Sequence, residues 1–153
     1  MSSEPQMNQC CRQCLEDSRI LPFSRGVNLA GRELSTARSD LLDARLGFGN
    51  RRYKWATIQA YYAMFHAARA LVYSRGYRER SHYCLGIALQ ELFVDEDLLE
   101  PQAVQDFLEA MGLREAADYR ARFSRRGATT VMDYAEGFIG RASMMLSAAV
   151  PVD

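Results

Sequence analysis

The sequence predicts an all-α protein, an antiparallel bundle of four to five helices. Three observations carry this. Apolar residues recur in steps of three and four along almost the whole chain, the spacing that stacks side chains on one face of a helix. Glycine, proline and asparagine fall between these periodic segments rather than inside them, so the punctuation is that of short turns. The 153 residues, 48% hydrophobic and 25% charged, suit a single globular domain with a sizeable core.

Residues 1–26 form an N-terminal segment that can hold one short helix, with Pro22 to Gly26 as its exit. Residues 27–149 form the bundle, and 150–153 a tail. Ala30, Leu34, Ala37, Leu41, Ala44 and Phe48 alternate steps of four and three, which predicts a helix ending at the turn Gly47-Phe48-Gly49-Asn50. The next helix runs from about Arg51 to Ser74 and stops at Gly76. Ser81 can cap a shorter helix reaching about Phe93, and the acidic stretch VDEDLLE follows as a loop. Pro101 suits the first position of a fourth helix, because its missing N–H would be unsatisfied there in any case. That helix is expected to reach about Phe123, with Ser124 to Ala128 as the turn. Thr129 or Thr130 then caps a last helix with the stripe Val131, Tyr134, Phe138, Ala142, Met145 and Ala149.

The helix near Arg51 to Ser74 is the centre of the reading. At about 100° per residue, Ile58, Tyr61, Phe65, Ala68 and Val72 fall on a core face. Ala56, Ala60, Ala63, Ala67 and Ala70 fall on a second, where small side chains permit close helix approach. Trp55, Gln59, Tyr62, His66, Arg69 and Tyr73 share the third. Rings, an amide, an imidazole and a guanidinium on one face can stack a base and hold a phosphate. They also fit a homodimer seam, or simple packing with His66 hydrogen-bonded in an interface and Arg69 in an ion pair.

A second cluster follows at the turn: Arg75, Arg78, Arg80, His82 and Tyr83. General acid–base work needs a pKa near neutrality, and guanidiniums stabilise charge on a phosphorane. An imidazole ringed by arginines at a helix N-terminus should have its pKa depressed, which favours a base. The structural alternative is a solvated basic turn. The catalytic candidates are thus His66, His82 and Arg75. Gln59, Tyr62, Arg69, Arg78, Arg80 and Tyr83 are the candidates for nucleotide or RNA binding.

Charge is balanced overall but unevenly placed. Residues 51–82 hold seven basic side chains against Glu79, a net of +6, and residues 83–118 hold nine acidic ones against Arg114, a net of −8. Such polarity can steer a polyanion to one side or pair with a partner. Arginine supplies 18 of the 19 basic residues, Lys54 being the exception, which suits phosphate recognition but also follows from GC-rich codons. No stretch approaches the roughly 18 apolar residues of a membrane span, and the N-terminus lacks a secretory pattern, so a cytosolic location is expected. Cys10, Cys11 and Cys14 have no second ligand pair to complete a zinc site, so they and Cys84 are expected as reduced thiols. Phosphate-binding glycine loops and metalloprotease motifs are absent, and no cofactor or metal is expected.

The block AYYAMFHAARALVYSRGYRERSH (Ala60 to His82), followed by LREAADY (Leu113 to Tyr119) and AEGFI (Ala135 to Ile139), resembles the HEPN superfamily, the higher-eukaryote and prokaryote nucleotide-binding domain. The resemblance spans about Ala30 to Leu146 and is closest to small stand-alone prokaryotic members. It implies a helical bundle, a homodimer, and often a minimal nucleotidyltransferase partner in a toxin–antitoxin pair. Active HEPN toxins are metal-independent ribonucleases with an Arg-x(4–6)-His motif assembled across the dimer. Here Gln59 stands six intervening residues before His66, where related proteins often have arginine. Arg75 and His82 do have the allowed spacing, with Gly76 between them. The resemblance thus implies a nucleotide- or RNA-binding subunit with metal-independent ribonuclease activity. Its alternative is a non-catalytic homodimer that serves as the nucleotidyltransferase's partner.

Overall fold

A computed structural model describes residues 20–149. In chain order these form β1 (Ile20–Pro22), α1 (Gly26–Gly49), α2 (Tyr53–Ser74), β2 (Tyr77–Glu79), α3 (His82–Leu89), a π-helical turn (Gln90–Val94), α4 (Pro101–Tyr119) and α5 (Arg125–Ala149). The expected short N-terminal helix and Cys10, Cys11 and Cys14 lie outside the described residues.

The central helix of the sequence is central in space. α2 packs against α1, α3, α4 and α5. Its alanines Ala60, Ala63 and Ala67 are fully buried, which lets α1 come close with Ala37 and Ala44 and α5 with Ala135 and Ala142. Tyr61, Met64 and Leu71 fill the remaining space with Leu85 and Leu89 of α3, Val104 and Phe107 of α4, and Val131 of α5. A fully buried aliphatic or aromatic side chain stabilises by about 1.5–3 kcal/mol relative to exposure, so this seam accounts for most of the fold's cohesion.

Most boundaries agree with the periodicity, and the exceptions have local causes. Ser81 caps α3 by accepting from the Cys84 N–H, and Pro101 opens α4. α4 ends at Tyr119, a turn before the expected Phe123, because Ala121 adopts a left-handed φ of 51° and the Arg122 N–H bonds back to the Ala116 carbonyl. α5 starts at Arg125, earlier than expected. The Ser124 hydroxyl accepts from the Gly127 N–H and so takes the capping role assigned to Thr129 or Thr130. Those two threonines instead donate to carbonyls four residues back, at Arg125 and Arg126, inside the helix.

A two-stranded antiparallel sheet, β1 on β2, was not anticipated; Ile20 pairs with Glu79 and Pro22 with Tyr77. Pro22 to Gly26 therefore lead from a strand into α1, and the basic turn after α2 is partly β-structure. Gly76, at φ 81°, makes the reversal that starts β2. Gly26 lies so close to α2 that a Cβ would come within 2.9 Å of the Tyr73 carbonyl oxygen, which fixes a glycine where α1 begins. Cys84 is fully buried and disulfide-bonded, so the expectation of a reduced thiol does not hold at this position. No helix among the described residues is long and apolar enough to cross a membrane.

Candidate functional site

The two histidines occupy different environments that meet at Phe65. This ring, projecting from the middle of α2, lies 5.4 Å from the His66 ring and 4.4 Å from the His82 ring, centroid to centroid. The Arg69 guanidinium also lies against Phe65, at 4.5 Å. Helical spacing explains the grouping: Tyr61, Tyr62, Phe65, His66 and Arg69 follow one another at alternating steps of one and three, along adjoining faces of α2.

His66 belongs to an ionic network between α1 and α2. Its Nδ1 donates to Glu33 Oε2 at 2.6 Å, and its Nε2 lies 3.7 Å from Asp40 Oδ2. Glu33 and Asp40 are both half-buried on α1. Burial is the main cause that raises the Asp40 pKa, and His66 opposes it. Arg69 gives both Nε and Nη2 to one oxygen of Glu79, at 2.8 and 2.6 Å, and its Nη1 lies 3.9 Å from Glu33. The Glu79 side chain is only 2% exposed and its other oxygen has no partner among the described residues. The sheet makes this possible: β2 carries Glu79 inward at the register where Ile20 covers it.

His82 sits at the first turn of α3, half-buried among aromatic rings. It stacks on Phe65 and Tyr61 at interplanar angles of 24° and 17° and meets the edge of Tyr62. Its Nδ1 is 2.7 Å from the Tyr61 hydroxyl. The His82 pKa is lowered, first by burial and then by the Arg114 and Arg69 guanidiniums, so the ring is neutral at pH 7. The depression has the direction expected from the sequence, but the cations that exert it are Arg114 and Arg69.

Arg114, on α4, was not singled out by sequence reasoning. Its Nη2 donates to the Tyr62 hydroxyl oxygen at 2.8 Å and to Asp118 Oδ2 at 3.1 Å. The guanidinium lies 5.2 Å from the Tyr62 ring and 5.3 Å from the Tyr119 ring, and its Nε is buried with no partner among the described residues. The segment LREAADY already held the signal. Arg114 and Asp118 lie four residues apart on one helical face, but nothing local says which helix that face will meet.

The other candidates diverge. Arg75 is exposed and lies over Phe93, beside a hollow of about 330 Å³ lined by Leu71, Phe93, Met145 and Leu146. Arg78 lies over Phe23, and Arg80 and Tyr83 are exposed. Gln59 turns toward α1, where a Cβ on Gly47 would be 3.7 Å from its amide oxygen. The constellation brought together is therefore His82, Tyr61, Tyr62, Phe65, Arg69 and Arg114, with His66 behind Phe65. Among the described residues no group of three or more His, Cys, Asp or Glu side chains could hold a metal ion.

Comparison with known proteins agrees with this architecture. Over 114 residues, 74% of this chain and 85% of the relative, the sequence is 28% identical to a protein of Methanocaldococcus jannaschii named "Putative toxin MJ0605". The crystal structure of TT1696 from Thermus thermophilus superposes with a TM-score of 0.66, covering 76% of this chain and 98% of that one at 22% identity, and so shares the fold. Residues 31–145, from α1 almost to the end of α5, match the HEPN domain family, and the chain belongs to that family.

Proposed function

We propose that this protein is a toxin-like HEPN protein that binds nucleotide or RNA at the His82 corner and cleaves RNA there without a metal ion. The observation that carries the reading is the His82 imidazole stacked in an aromatic cage of Phe65, Tyr61 and Tyr62, rings against which the Arg69 and Arg114 guanidiniums also lie. A phosphodiester approaching this corner meets cations able to stabilise added charge and an imidazole able to exchange a proton. Tyr62 and the exposed Tyr119 and Tyr83 offer ring surface for bases. Arg78 and Arg80 extend the positive field at the adjoining turn. The name of the M. jannaschii relative supports the toxin-like role. A cytosolic homodimer and a minimal nucleotidyltransferase partner complete the proposal.

The test is RNA cleavage by the purified chain in EDTA. Loss in His82→Ala and Arg114→Ala with retention in Arg75→Ala is the expected result; cleavage unchanged in His82→Ala rejects the site.

A second reading has its own observation. The Arg-x6-His motif is weakened at both histidines, because Gln59 stands at the arginine position before His66 and Arg75, correctly spaced before His82, lies over Phe93. A non-catalytic homodimer that docks a nucleotidyltransferase fits that arrangement, with the exposed acidic run Asp95 to Asp97 as docking charge. Co-purification with such a partner and no cleavage of any RNA supports this reading; a monomer that binds neither partner nor nucleotide at micromolar concentration ends it.

A further inference from the structure

Tyr61 makes no ion pair and faces no solvent, yet its position decides what His82 can offer a ligand. The residue is 0% exposed, and its hydroxyl lies 2.7 Å from His82 Nδ1. Two arrangements satisfy that distance. In one, the phenol O–H donates to Nδ1, and the single hydrogen of the neutral imidazole resides on Nε2. In the other, an Nδ1–H donates to the phenol oxygen, and the phenolic hydrogen must find another acceptor.

The surroundings separate the two. Among the described residues the Tyr61 hydroxyl has no hydrogen-bond partner besides His82. Close at hand is the Arg114 guanidinium, 5.8 Å from the Tyr61 ring, which contains donors only. The second arrangement therefore strands a buried donor, a penalty that biases the tautomer ratio by roughly fivefold to a hundredfold. The first strands only a lone pair of a phenol oxygen, which is cheaper to leave unpaired. Phenolate is no escape, because burial pushes the Tyr61 hydroxyl far above its ordinary ionisation range. We propose that Tyr61 is a positioning residue that locks neutral His82 in the Nε2–H tautomer, so that the imidazole meets a phosphodiester oxygen as a hydrogen-bond donor rather than as a base.

Nε2 has no partner among the described residues, so the donor it carries is available at a corner already lined by Arg114 and Arg69. Donation from the phenol into Nδ1 also opposes protonation there, reinforcing the neutral ring. A base at Nε2 would require the imidazole hydrogen to move to Nδ1 and the phenol to reverse. The resting site thus reads as a collection of donors suited to an anionic oxygen. The identity of the ligand rests on the function proposed above; the tautomer does not.

The experiment is nitrogen-15 NMR of the full chain labelled at histidine, at about pH 8, more than one unit above an ordinary histidine pKa. With only two histidines in the sequence, His66→Gln assigns the remaining signals to His82. The expected result is a hydrogen held on Nε2 by at least about fivefold, relaxing toward a mixture in Tyr61→Phe. A hydrogen on Nδ1 in the wild type overturns the inference, as does a ratio unchanged in Tyr61→Phe. Should Tyr61→Phe fail to fold, the wild-type spectrum alone still decides. A protein with the Nε2–H tautomer that neither binds nor cleaves RNA would uphold the role of Tyr61 and defeat the functional reading, so the two fail separately.

Discussion

His66 and His82 touch the same phenylalanine and yet are chemically unlike. His66 gives its Nδ1 hydrogen to Glu33 and stands in a lattice of charges that includes Asp40, Arg69 and Glu79. His82 has rings around it and hydrogen-bonds to a phenol, and the charges acting on it are mostly positive. Carboxylates satisfy the first imidazole and hold α1, α2 and β2 together. Burial among rings and the nearby cations lower the pKa of the second. On the function proposed above, the sign of the neighbouring charge divides one residue type on one bundle between a structural and a chemical role.

The ionic network around His66 is most vulnerable at Arg69. Arg69→Ala leaves the Glu79 carboxylate buried without its partner, and removing one member of a buried pair costs about 3–5 kcal/mol. Urea unfolding should show this as a large fall in midpoint; a loss below about 1 kcal/mol would mean that the network does not hold the helices. Next comes His82→Ala, for which RNA cleavage in EDTA should fall by about 10²–10³, the usual contribution of one positioned hydrogen-bond donor to developing negative charge. The midpoint should change much less than in Arg69→Ala. His66→Gln should show the reverse pattern. It loses a charge-assisted hydrogen bond worth about 1.5–3 kcal/mol in unfolding, while cleavage changes little. Equal loss of cleavage in both histidine variants would erase the distinction.

The smallest effect is on pH dependence. In the unfolded chain His82 takes up a proton near its ordinary value of about 6.5, whereas in the fold its pKa is lowered. The unfolded state therefore binds the proton first, and stability is lost as pH falls below that value toward the folded pKa. Unfolding midpoints of wild type and His82→Gln compared between about pH 7 and 5 should converge as pH falls, because the variant lacks this term. Parallel curves would show that His82 is not held neutral by its surroundings.

Much of the bundle was legible because its information is local. The three-and-four spacing on α1, the alanine face of α2, the Ser81 cap and Pro101 at the head of α4 each act within a turn or two of themselves. The strands were hidden, since three residues such as Tyr77 to Glu79 are too few to display an alternation, and their pairing joins segments more than fifty positions apart. The site was half legible. His82 and its lowered pKa followed from an imidazole placed among arginines, but which arginines did not. Arg75, seven positions away in sequence, swings to Phe93, while Arg114, thirty-two positions away, arrives on α4 beside Tyr62.

The helical class, the central position of α2 and the gathering of aromatic and polar groups along it all follow from residue spacing, because helical periodicity fixes which side chains share a face. That Glu33 and Asp40 answer His66, that Glu79 answers Arg69, and that Tyr61 and Arg114 answer His82 emerges from the packing of the chain. Such matches depend on how separate helices and a small sheet pack. Electrostatic and hydrogen-bond energies fall off over a few ångströms of space, a distance that spacing along the chain does not reveal.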